Sequence, residues 1–353
     1  MSLGENIKLR RETLRISLRD LAEKIGVSHT TINKYEKDLL VPDSQRLIKI
    51  STELQVPIAS LLRPPGQQIQ LTCLAFRTRK MLKRDERQIN AETKDWLERY
   101  FQIERISGTS RSFEMPKGFP KKISSFEDAE SAAKSLRKAW GLGNVPLENL
   151  TTLLEDKGIK IGIIKGITQF DALFTRCDSH PVIVMKENLP RARQRFSLAH
   201  ELGHCLLEVE GEIDEEKAMH RFAGAFLVPA ERIFFELGRT RQKITVRELL
   251  LLKEKYGFSM GAWLFRAKEL GVISQDTYIG MIKLFSIKGW KKVEPHDDMK
   301  GEEPIFLATL VLKSHAEGII SLSKAAELLN QDISSFYSFE GESDTGQSAT
   351  VCG

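Results

Sequence analysis

The pattern that most constrains the fold runs from His200 to His204 and reads His-Glu-Leu-Gly-His, within a stretch whose apolar residues recur at helical spacing. Residues four apart share one face of a helix, so His200 and His204 project together. Two such imidazoles can hold one Zn²⁺, and Glu201 lies beside them, where a carboxylate can take a proton from water. The alternative is a surface helix with two solvated histidines. Apolar neighbours favour a buried helix instead, and buried histidines need partners such as a metal.

A second helix, predicted over residues 213–227, offers a third ligand. Glu216 and His220 lie four residues apart on it, and its other face is small and apolar, which suits close packing on the first helix. We expect Glu216 to complete the metal site. His220 can be a ligand, a partner that orients a ligand, or a donor to a developing negative charge. Glu215 is expected to face water, and Cys205 to lie in the core.

Three further residues are candidates for substrate contacts: Arg195, Tyr256 and His180. Arg195 and Tyr256 can polarise a carbonyl, although Arg195 can equally bond helix ends or carboxylates. His180 falls in a predicted turn, residues 178–181, that precedes a strand. It can contact a substrate there, and the alternative is that it lies in a surface loop without such a role.

Residues 1–62 carry apolar positions at spacings of three, four and seven, which predicts about five short helices. Within them, residues 17–35 have the pattern of a helix-turn-helix, because Ser17 and Ser28 can each cap a helix and Gly26 suits the turn. Asparagine and threonine can read base edges, whereas lysine and arginine contact phosphates. The face expected to meet DNA is formed by Arg19, Ser28, His29, Thr30, Asn33, Lys34 and Lys37. The alternative is a helical bundle without a role in DNA binding.

The remaining pattern predicts a mixed α+β chain with a small sheet against helices. Two prolines and a glycine in residues 63–66 indicate a linker, and residues 79–106 read as a charged connector helix or, alternatively, a dimerising helix. Ser125 can cap a helix, and Pro146 is expected to open the next one. Strands are predicted around residues 159–164, 172–174 and 182–185.

Charge and cysteine usage narrow the class of protein. A formal net charge of +5 over 353 residues allows a nucleic-acid partner without demanding one. The four cysteines are far apart and form no Cys-x-x-Cys pair, which excludes a zinc ribbon and suits a reducing compartment. The N-terminus lacks the apolar core of a signal peptide, and no run of eighteen apolar residues occurs. We expect a cytoplasmic protein with no membrane partner.

Residues 4–62 resemble the XRE (lambda-repressor-like) helix-turn-helix family. The shared features are Leu21-Ala22, Gly26-Val27-Ser28, Ile32, Tyr35-Glu36, Pro42 and the helix from Leu47 to Leu54. The family usually has glycine soon after the Tyr-Glu pair, where this chain has Lys37-Asp38, and Gln where it has Leu18-Arg19. The resemblance implies a five-helix fold that binds double-stranded operator DNA, with binding of a protein as the alternative. Because such modules commonly pair, we also expect a homodimer.

Residues 125–235 resemble the ImmA/IrrE family of metallopeptidases. The resemblance rests on Arg-x-x-x-Arg-Phe-Ser-Leu-Ala-His-Glu-Leu-Gly-His and on the later Glu-x-x-Ala-Asn-x-Phe-Ala-x-x-Leu-x-Pro, whose Glu falls on Glu216. Met219 stands where the family has Ala, and His220 where it has Asn, which leaves the role of that Asn open. The resemblance implies a zincin-like domain in which Glu201 is catalytic and His200, His204 and Glu216 hold Zn²⁺.

Together these features predict a multidomain α+β protein. Its parts are a helix-turn-helix domain (1–62), a linker with a connector helix (63–123), a metallopeptidase-like domain (124–237), a helical C-terminal region (238–340) and a disordered tail (341–353). Its function would be that of a DNA-binding transcriptional regulator with a zinc endopeptidase that cleaves a repressor or another regulatory protein. The alternative is a transcription factor or antitoxin-like regulator whose zinc domain is a sensor or an interaction platform without proteolysis. Self-cleavage within residues 63–66 or 107–120 is a third hypothesis.

Overall fold

The computed structural model describes residues 2–56, 58–62, 71–72, 83–167, 169–331 and 333. The helices, in chain order, are α1 (Leu3–Thr13), α2 (Leu18–Ile25), α3 (His29–Glu36), α4 (Ser44–Glu53), α5 (Ile58–Leu61), α6 (Lys83–Ser107), α7 (Phe126–Ala139), α8 (Leu150–Asp156), α9 (Arg191–Leu206), α10 (Glu215–Leu227), α11 (Ala230–Leu237), α12 (Val246–Tyr256), α13 (Met260–Glu269), α14 (Gln275–Ile287), α15 (Phe306–Ala316) and α16 (Leu322–Leu329). The strands are β1 (Leu71–Thr72), β2 (Lys121–Ile123), β3 (Lys160–Ile164), β4 (Ala172–Cys177), β5 (His180–Lys186) and β6 (Leu207–Val209). The predicted mixed α+β class is confirmed.

The chain forms two compact units. The first contains Met1–Leu71, Lys80–Ser110 and Ile305–Gly353, and the second contains Thr72–Arg79 and Arg111–Pro304. The domain boundaries drawn from the sequence stay predictions. The predicted linker at residues 63–66 and the predicted disordered tail at residues 341–353 lie outside the described residues. None of the described helices combines the length and the apolar character needed to cross a membrane.

The N-terminal part of the first unit consists of the five short helices that its periodicity predicts. The Ser17 hydroxyl caps α2, Gly26 ends it with a φ of +76°, and the Ser28 hydroxyl caps α3 by accepting from the Thr31 N–H. Such caps satisfy backbone groups that a helix end would otherwise leave unpaired. The apolar side chains of these helices meet in one core, formed by Ile7, Leu21, Ala22, Ile25, Ile32, Tyr35, Ile50, Leu54, Val56 and Leu61.

Asp38 occupies the position where the XRE pattern usually has glycine. Its φ is +54°, in the left-handed region that favours glycine. Its carboxylate accepts a hydrogen bond from the Gly4 N–H at 2.8 Å and another from the Ser2 hydroxyl. Asparagine and aspartate tolerate this conformation better than other side chains do, so aspartate can occupy a position that favours glycine.

Helix α6 packs within the first unit rather than standing apart as a spacer. Its residues Tyr100 and Ile103 share an apolar cluster with Phe306 and Leu310 of α15 and Leu328 of α16. It also contacts α1, and ion pairs join the two helices or their ends. The C-terminal helices α15 and α16 therefore belong to the same compact unit as the helix-turn-helix region.

The second unit is built on a four-stranded sheet in the order β1-β4-β5-β3. β4 and β5 form an antiparallel hairpin that pairs Cys177 with His180, and β3 runs parallel to β5. The turn expected over residues 178–181 is shorter than predicted, because His180 already pairs as the first residue of β5. The hairpin is therefore closed by Asp178, whose φ is +52°, and Ser179.

Helix α7 begins as predicted, with Ser125 as its cap. The expectation that Pro146 opens the next helix was wrong, because α8 begins at Leu150, where the Asn149 side chain accepts a hydrogen bond from the Thr152 N–H at 2.8 Å. The Glu302 carboxylate also accepts from the Leu150 and Thr151 N–H groups. Two side-chain acceptors thus fix where this helix starts.

Helices α12 to α14 share the core of the second unit with the helices before them. Leu249, Trp263 and Phe285 are buried in the same cluster as Leu198 of α9 and Phe222 of α10. These three helices, which lie within the predicted helical C-terminal region at residues 238–340, therefore complete the core around α9 and α10.

Gly158 is expected to be one of the least replaceable residues of this unit. Its φ is +82°, and an added Cβ would lie 2.5 Å from the Ser112 backbone carbonyl. We expect Gly158→Ala to lower the free energy of unfolding by about 3 kcal/mol, from backbone strain plus overpacking. Gly141→Ala is the matched control, since its φ is +69° and nothing lies within 4 Å of the new methyl group. It should lose only about 1 kcal/mol in urea unfolding. Equal losses would show that the contact with Ser112 is unimportant.

Candidate functional site

Helix α9 is buried along most of its length, and it carries His200 and His204 on the face turned toward α10. Gly203 lets the two helices approach, because an added Cβ there would lie 2.7 Å from Met219 Sδ and 3.2 Å from a Phe222 ring carbon. Met219, which replaces the usual Ala of the family pattern, packs into the space that Gly203 leaves. The close approach brings α10 within reach of both histidines.

The side chains of His200, His204 and Glu216 converge. His200 Nε2 lies 3.2 Å from His204 Nε2 and 3.3 Å from Glu216 Oε2. His204 Nε2 lies 3.7 Å from Glu216 Oε1. Two ligand atoms of a tetrahedral zinc ion, each ~2.0–2.1 Å from the metal, lie about 3.3 Å apart. Within the described part of the chain, these three residues form a group able to hold a metal ion, which we call the metal-binding group. Their spacing and their donor atoms, two nitrogens and one oxygen, fit zinc.

Burial favours the neutral form of the His200 imidazole. It lowers the pKa of this imidazole, and the neighbouring Glu216 carboxylate offsets part of that shift. The neutral imidazole is the form that binds a metal. His200 Nδ1 is buried and has no hydrogen-bond partner among the described residues, so the ring is oriented by packing and by what lies at Nε2.

Glu201 points to the sheet from the next position of α9. Its side chain is almost fully buried, and its Oε2 accepts a hydrogen bond from the Phe174 N–H of β4 at 2.9 Å. A backbone group of the sheet therefore helps to hold the carboxylate in place. Glu201 directly follows His200 in the sequence, in the position expected of a proton acceptor.

The residues predicted to face DNA are all in the first unit. Arg19, Ser28, His29, Thr30, Lys34 and Lys37 are exposed, and Asn33 is half-buried. The Ser28 hydroxyl is also engaged as the α3 cap, with Thr30 Oγ1 at 2.7 Å and Thr31 Oγ1 at 2.8 Å. The exposed surface of α3 and the start of α2 thus carry both base-reading and phosphate-binding side-chain types.

Comparison with known families agrees with both regions. Residues 7–61 match a helix-turn-helix family model, and residues 154–268 match the peptidase M78 model, described as an IrrE N-terminal-like domain. The chain fuses an XRE-type helix-turn-helix to an IrrE/ImmA-like domain. The chain is thus a DNA-binding regulator that contains a domain of a metallopeptidase family. The match to the IrrE-like domain extends through α12 and into α13, further than the resemblance noted from the sequence motifs.

Other comparisons add no functional detail. No curated protein matches the chain. The crystal structure of ComR from S. thermophilus, in complex with DNA and its signalling peptide ComS, aligns over 97% of this chain and 95% of that chain. Its sequence is 13% identical and the TM-score is 0.19, a similarity too low to carry an argument about fold or function.

In the IrrE-like domain, His220 lies beside the metal-binding group and outside it. Its ring centroid is 4.8 Å from that of His200 and 5.6 Å from that of Phe196. The side chain is exposed to solvent. Among the roles considered for this residue, the position suits a donor or an orienting partner rather than a ligand.

Glu215 makes a contact that the sequence did not reveal. Its Oε1 lies 3.3 Å from His204 Nδ1, although its side chain is 62% exposed. A carboxylate at the second ring nitrogen orients a metal-binding histidine. The expectation that Glu215 only faces water was therefore incomplete. The sequence pattern indicated Glu216 alone, because consecutive residues of a helix point about 100° apart and Glu215 was therefore expected to point elsewhere.

Cys205, Tyr256 and Arg195 are not part of the group that could hold a metal. Cys205 is buried in the core, and burial raises the pKa of its thiol to about 12, so it stays a neutral thiol. The Tyr256 hydroxyl donates to Glu236 and accepts from Arg232. Arg195 donates to the Leu147 carbonyl and pairs with Glu302, as the structural alternative predicted.

Proposed function

We propose that this chain is a DNA-binding transcriptional regulator whose IrrE-like domain is a zinc-dependent endopeptidase acting on a regulatory protein such as a repressor. The observation that carries the proposal is the convergence of His200 Nε2, His204 Nε2 and a Glu216 carboxylate at distances that suit one tetrahedral ion. Glu201 follows His200 directly on α9, and its carboxylate accepts a hydrogen bond from the Phe174 N–H. That combination of donors and one adjacent base is what metal-assisted peptide hydrolysis requires.

The roles of the protein's own residues in hydrolysis follow from these positions. Zinc held by His200, His204 and Glu216 would supply a Lewis acid that acidifies water and polarises the scissile carbonyl. Glu201 accepts the proton of the attacking water and delivers it to the leaving amine. The Phe174 N–H keeps the Glu201 carboxylate directed to this place. His220, exposed beside His200, donates to the oxygen on which negative charge develops.

The alternative is a regulator in which the metal domain is a sensor or an interaction platform. Such a domain needs the metal ligands but gives Glu201 no chemical task. A buried carboxylate costs free energy to desolvate, and a role in proton transfer gives a reason for keeping one at this position. The presence of Glu201 therefore favours hydrolysis.

The proposal is tested by metal removal. The zinc-loaded full-length protein is incubated with a peptide library made from a digested proteome, and new termini are identified by mass spectrometry. We expect cleavage that 1,10-phenanthroline abolishes and that one equivalent of added zinc restores. Cleavage that survives the chelator would contradict a zinc peptidase. Absence of cleavage in a protein with one bound zinc per chain would favour the sensor alternative.

We also propose that α3 and the start of α2 contact operator DNA, with phosphate contacts from Arg19, Lys34 and Lys37. Each phosphate contact changes the slope of log affinity against log salt by about 0.9. Lys34→Ala should therefore weaken binding to the protein's own promoter and reduce that slope by about one, measured by fluorescence anisotropy. Lys8→Ala, at an exposed position of α1, is the matched control and should leave the slope unchanged. Identical slopes for the two variants would remove Lys34 from the interface.

A further inference from the structure

A cavity of about 390 Å³ lies in the second unit, beside the metal-binding group. Its apolar wall is formed by Phe126 of α7, Phe196 of α9, Gly224 of α10, Ala262 and Phe265 of α13, and Phe258 between α12 and α13. His220 stands at the cavity as well, and both it and Phe265 are exposed, so the cavity opens to solvent. Its size is at the lower end of the range for small-ligand pockets, enough for one large side chain with its adjoining backbone.

The cavity and the metal-binding group share a boundary. Phe196 lies one turn before His200 on α9, and its ring is 5.6 Å from that of His220. The His220 ring is in turn 4.8 Å from that of His200. A peptide whose scissile bond lies over His200 and His204 therefore has this opening within one residue's reach.

The chemistry of the wall selects for an uncharged occupant. The Phe196 and Phe258 rings pack against each other at 6.3 Å, and Ala262 and Phe265 extend the same apolar surface. Burial of apolar surface favours an apolar partner here.

The charged groups at the cavity are balanced by one another. Arg266 bonds both oxygens of Glu130, at 2.7 Å and 2.8 Å. Arg221 pairs with Glu130 at 2.7 Å and with Glu269 at 3.0 Å. Lys217, at the rim, pairs with Asp214 at 3.0 Å. A charged side chain entering the cavity would lose its hydration and meet charges that are already neutralised, so an apolar side chain is preferred.

We propose that this cavity is the subsite for an uncharged apolar side chain of Leu, Met or Phe size, next to the scissile bond of the bound peptide, and that Ala262 and Phe265 set this preference. The role in substrate selection rests on the proposed peptidase function. The binding preference of the cavity does not require turnover, and it can be measured separately.

The binding test uses two hydroxamates that attach to zinc through the same group. One is acetohydroxamic acid, and the other is 3-phenylpropionohydroxamic acid, which carries a phenyl group to reach the cavity. In calorimetric titration of the zinc-loaded full-length protein, the phenyl group should tighten binding by about tenfold to a hundredfold. Ala262→Trp should abolish this gain, so that the two compounds bind the variant with equal affinity. Equal affinity of the two compounds for the unmodified protein would overturn the proposal.

A second variant guards against misfolding. Phe265→Ala removes part of the wall at a residue that is 43% exposed, and it should reduce the phenyl gain severalfold. Phe235→Ala is the matched control, because Phe235 is 71% exposed, lies on α11 and, like Phe265, has a cationic side chain over its ring. It should keep the full gain. Benzyl alcohol binding as tightly as the phenyl hydroxamate would make the cavity a site for a free small molecule and would overturn the peptide assignment.

Cleavage specificity separates the subsite from the proposed function. In the peptide library, Leu, Met and Phe should be enriched next to the cut, and Ala262→Trp should shift that position toward Gly and Ala. Cleavage without this enrichment would overturn the subsite and leave the peptidase standing. A phenyl gain in binding without any cleavage would overturn the peptidase and leave the cavity as an apolar binding site.

Discussion

Replacing Glu201 with glutamine is expected to lower the rate of peptide cleavage by about 10²- to 10⁴-fold while the zinc content stays at one ion per chain. Glutamine has nearly the shape of glutamate, and its carbonyl oxygen can still accept the hydrogen bond from the Phe174 N–H. It cannot accept the proton of the attacking water. The metal ligands His200, His204 and Glu216 are untouched. The change therefore removes one chemical step and keeps the fold and the metal.

The measurement pairs initial rates on a cleaved library peptide with zinc content determined by mass spectrometry of the metal. Glu208→Gln is the matched control, since Glu208 is an exposed glutamate on β6 just after the end of α9. It should retain the full rate. A Glu201→Gln variant that cleaves at the unmodified rate would exclude Glu201 as the base. A variant that loses its zinc would show that Glu201 is a ligand, which contradicts the assignment of Glu216.

The features that the sequence predicted well are those that depend on near neighbours. Helix α10 was expected over residues 213–227 and runs over Glu215–Leu227, and the stretch of helical spacing around His200 and His204 lies within α9, Arg191–Leu206. Their apolar periodicity and the spacing of His200 and His204 are local properties, so the residues themselves specify them. The caps Ser17, Ser28 and Ser125 act within three residues and were equally readable.

The features that the sequence did not predict depend on residues far apart in the chain. The Phe174 N–H reaches Glu201 across 27 residues, and Glu302 caps α8 across more than 150. No local pattern indicates such a partner. The misplaced start of α8 has the same origin, because the rule that favours proline in a first helical turn was outweighed by acceptors on Asn149 and on the distant Glu302. Likewise, no local pattern shows that residues up to Pro304 complete the unit that contains the metal-binding group.

The two neighbouring glutamates at the start of α10 give the second large effect. Structural zinc sites bind with roughly 10–16 kcal/mol shared among four ligands, which is about 3 kcal/mol for each ligand. Glu216→Ala should therefore weaken zinc binding by at least about a hundredfold. Glu215→Ala removes only the carboxylate at His204 Nδ1, and partners of this kind contribute about tenfold to a hundredfold. Because Glu215 is 62% exposed, its effect should fall at the lower end of that range.

Competition with a chromophoric chelator measures the zinc affinities of both variants. Glu212→Ala is the control, because Glu212 is an exposed glutamate just before α10, and this variant should bind zinc as the unmodified protein does. The expected order follows from which ring nitrogen each carboxylate faces. The Nε2 atoms of His200 and His204 face each other at 3.2 Å, and Glu216 approaches both, whereas Glu215 lies at Nδ1 on another edge of the His204 ring. One ion bound between the two Nε2 atoms is thus within reach of Glu216 and not of Glu215. A larger loss of affinity in Glu215→Ala than in Glu216→Ala would mean that the metal binds at His204 Nδ1, and the site as proposed would have to be abandoned.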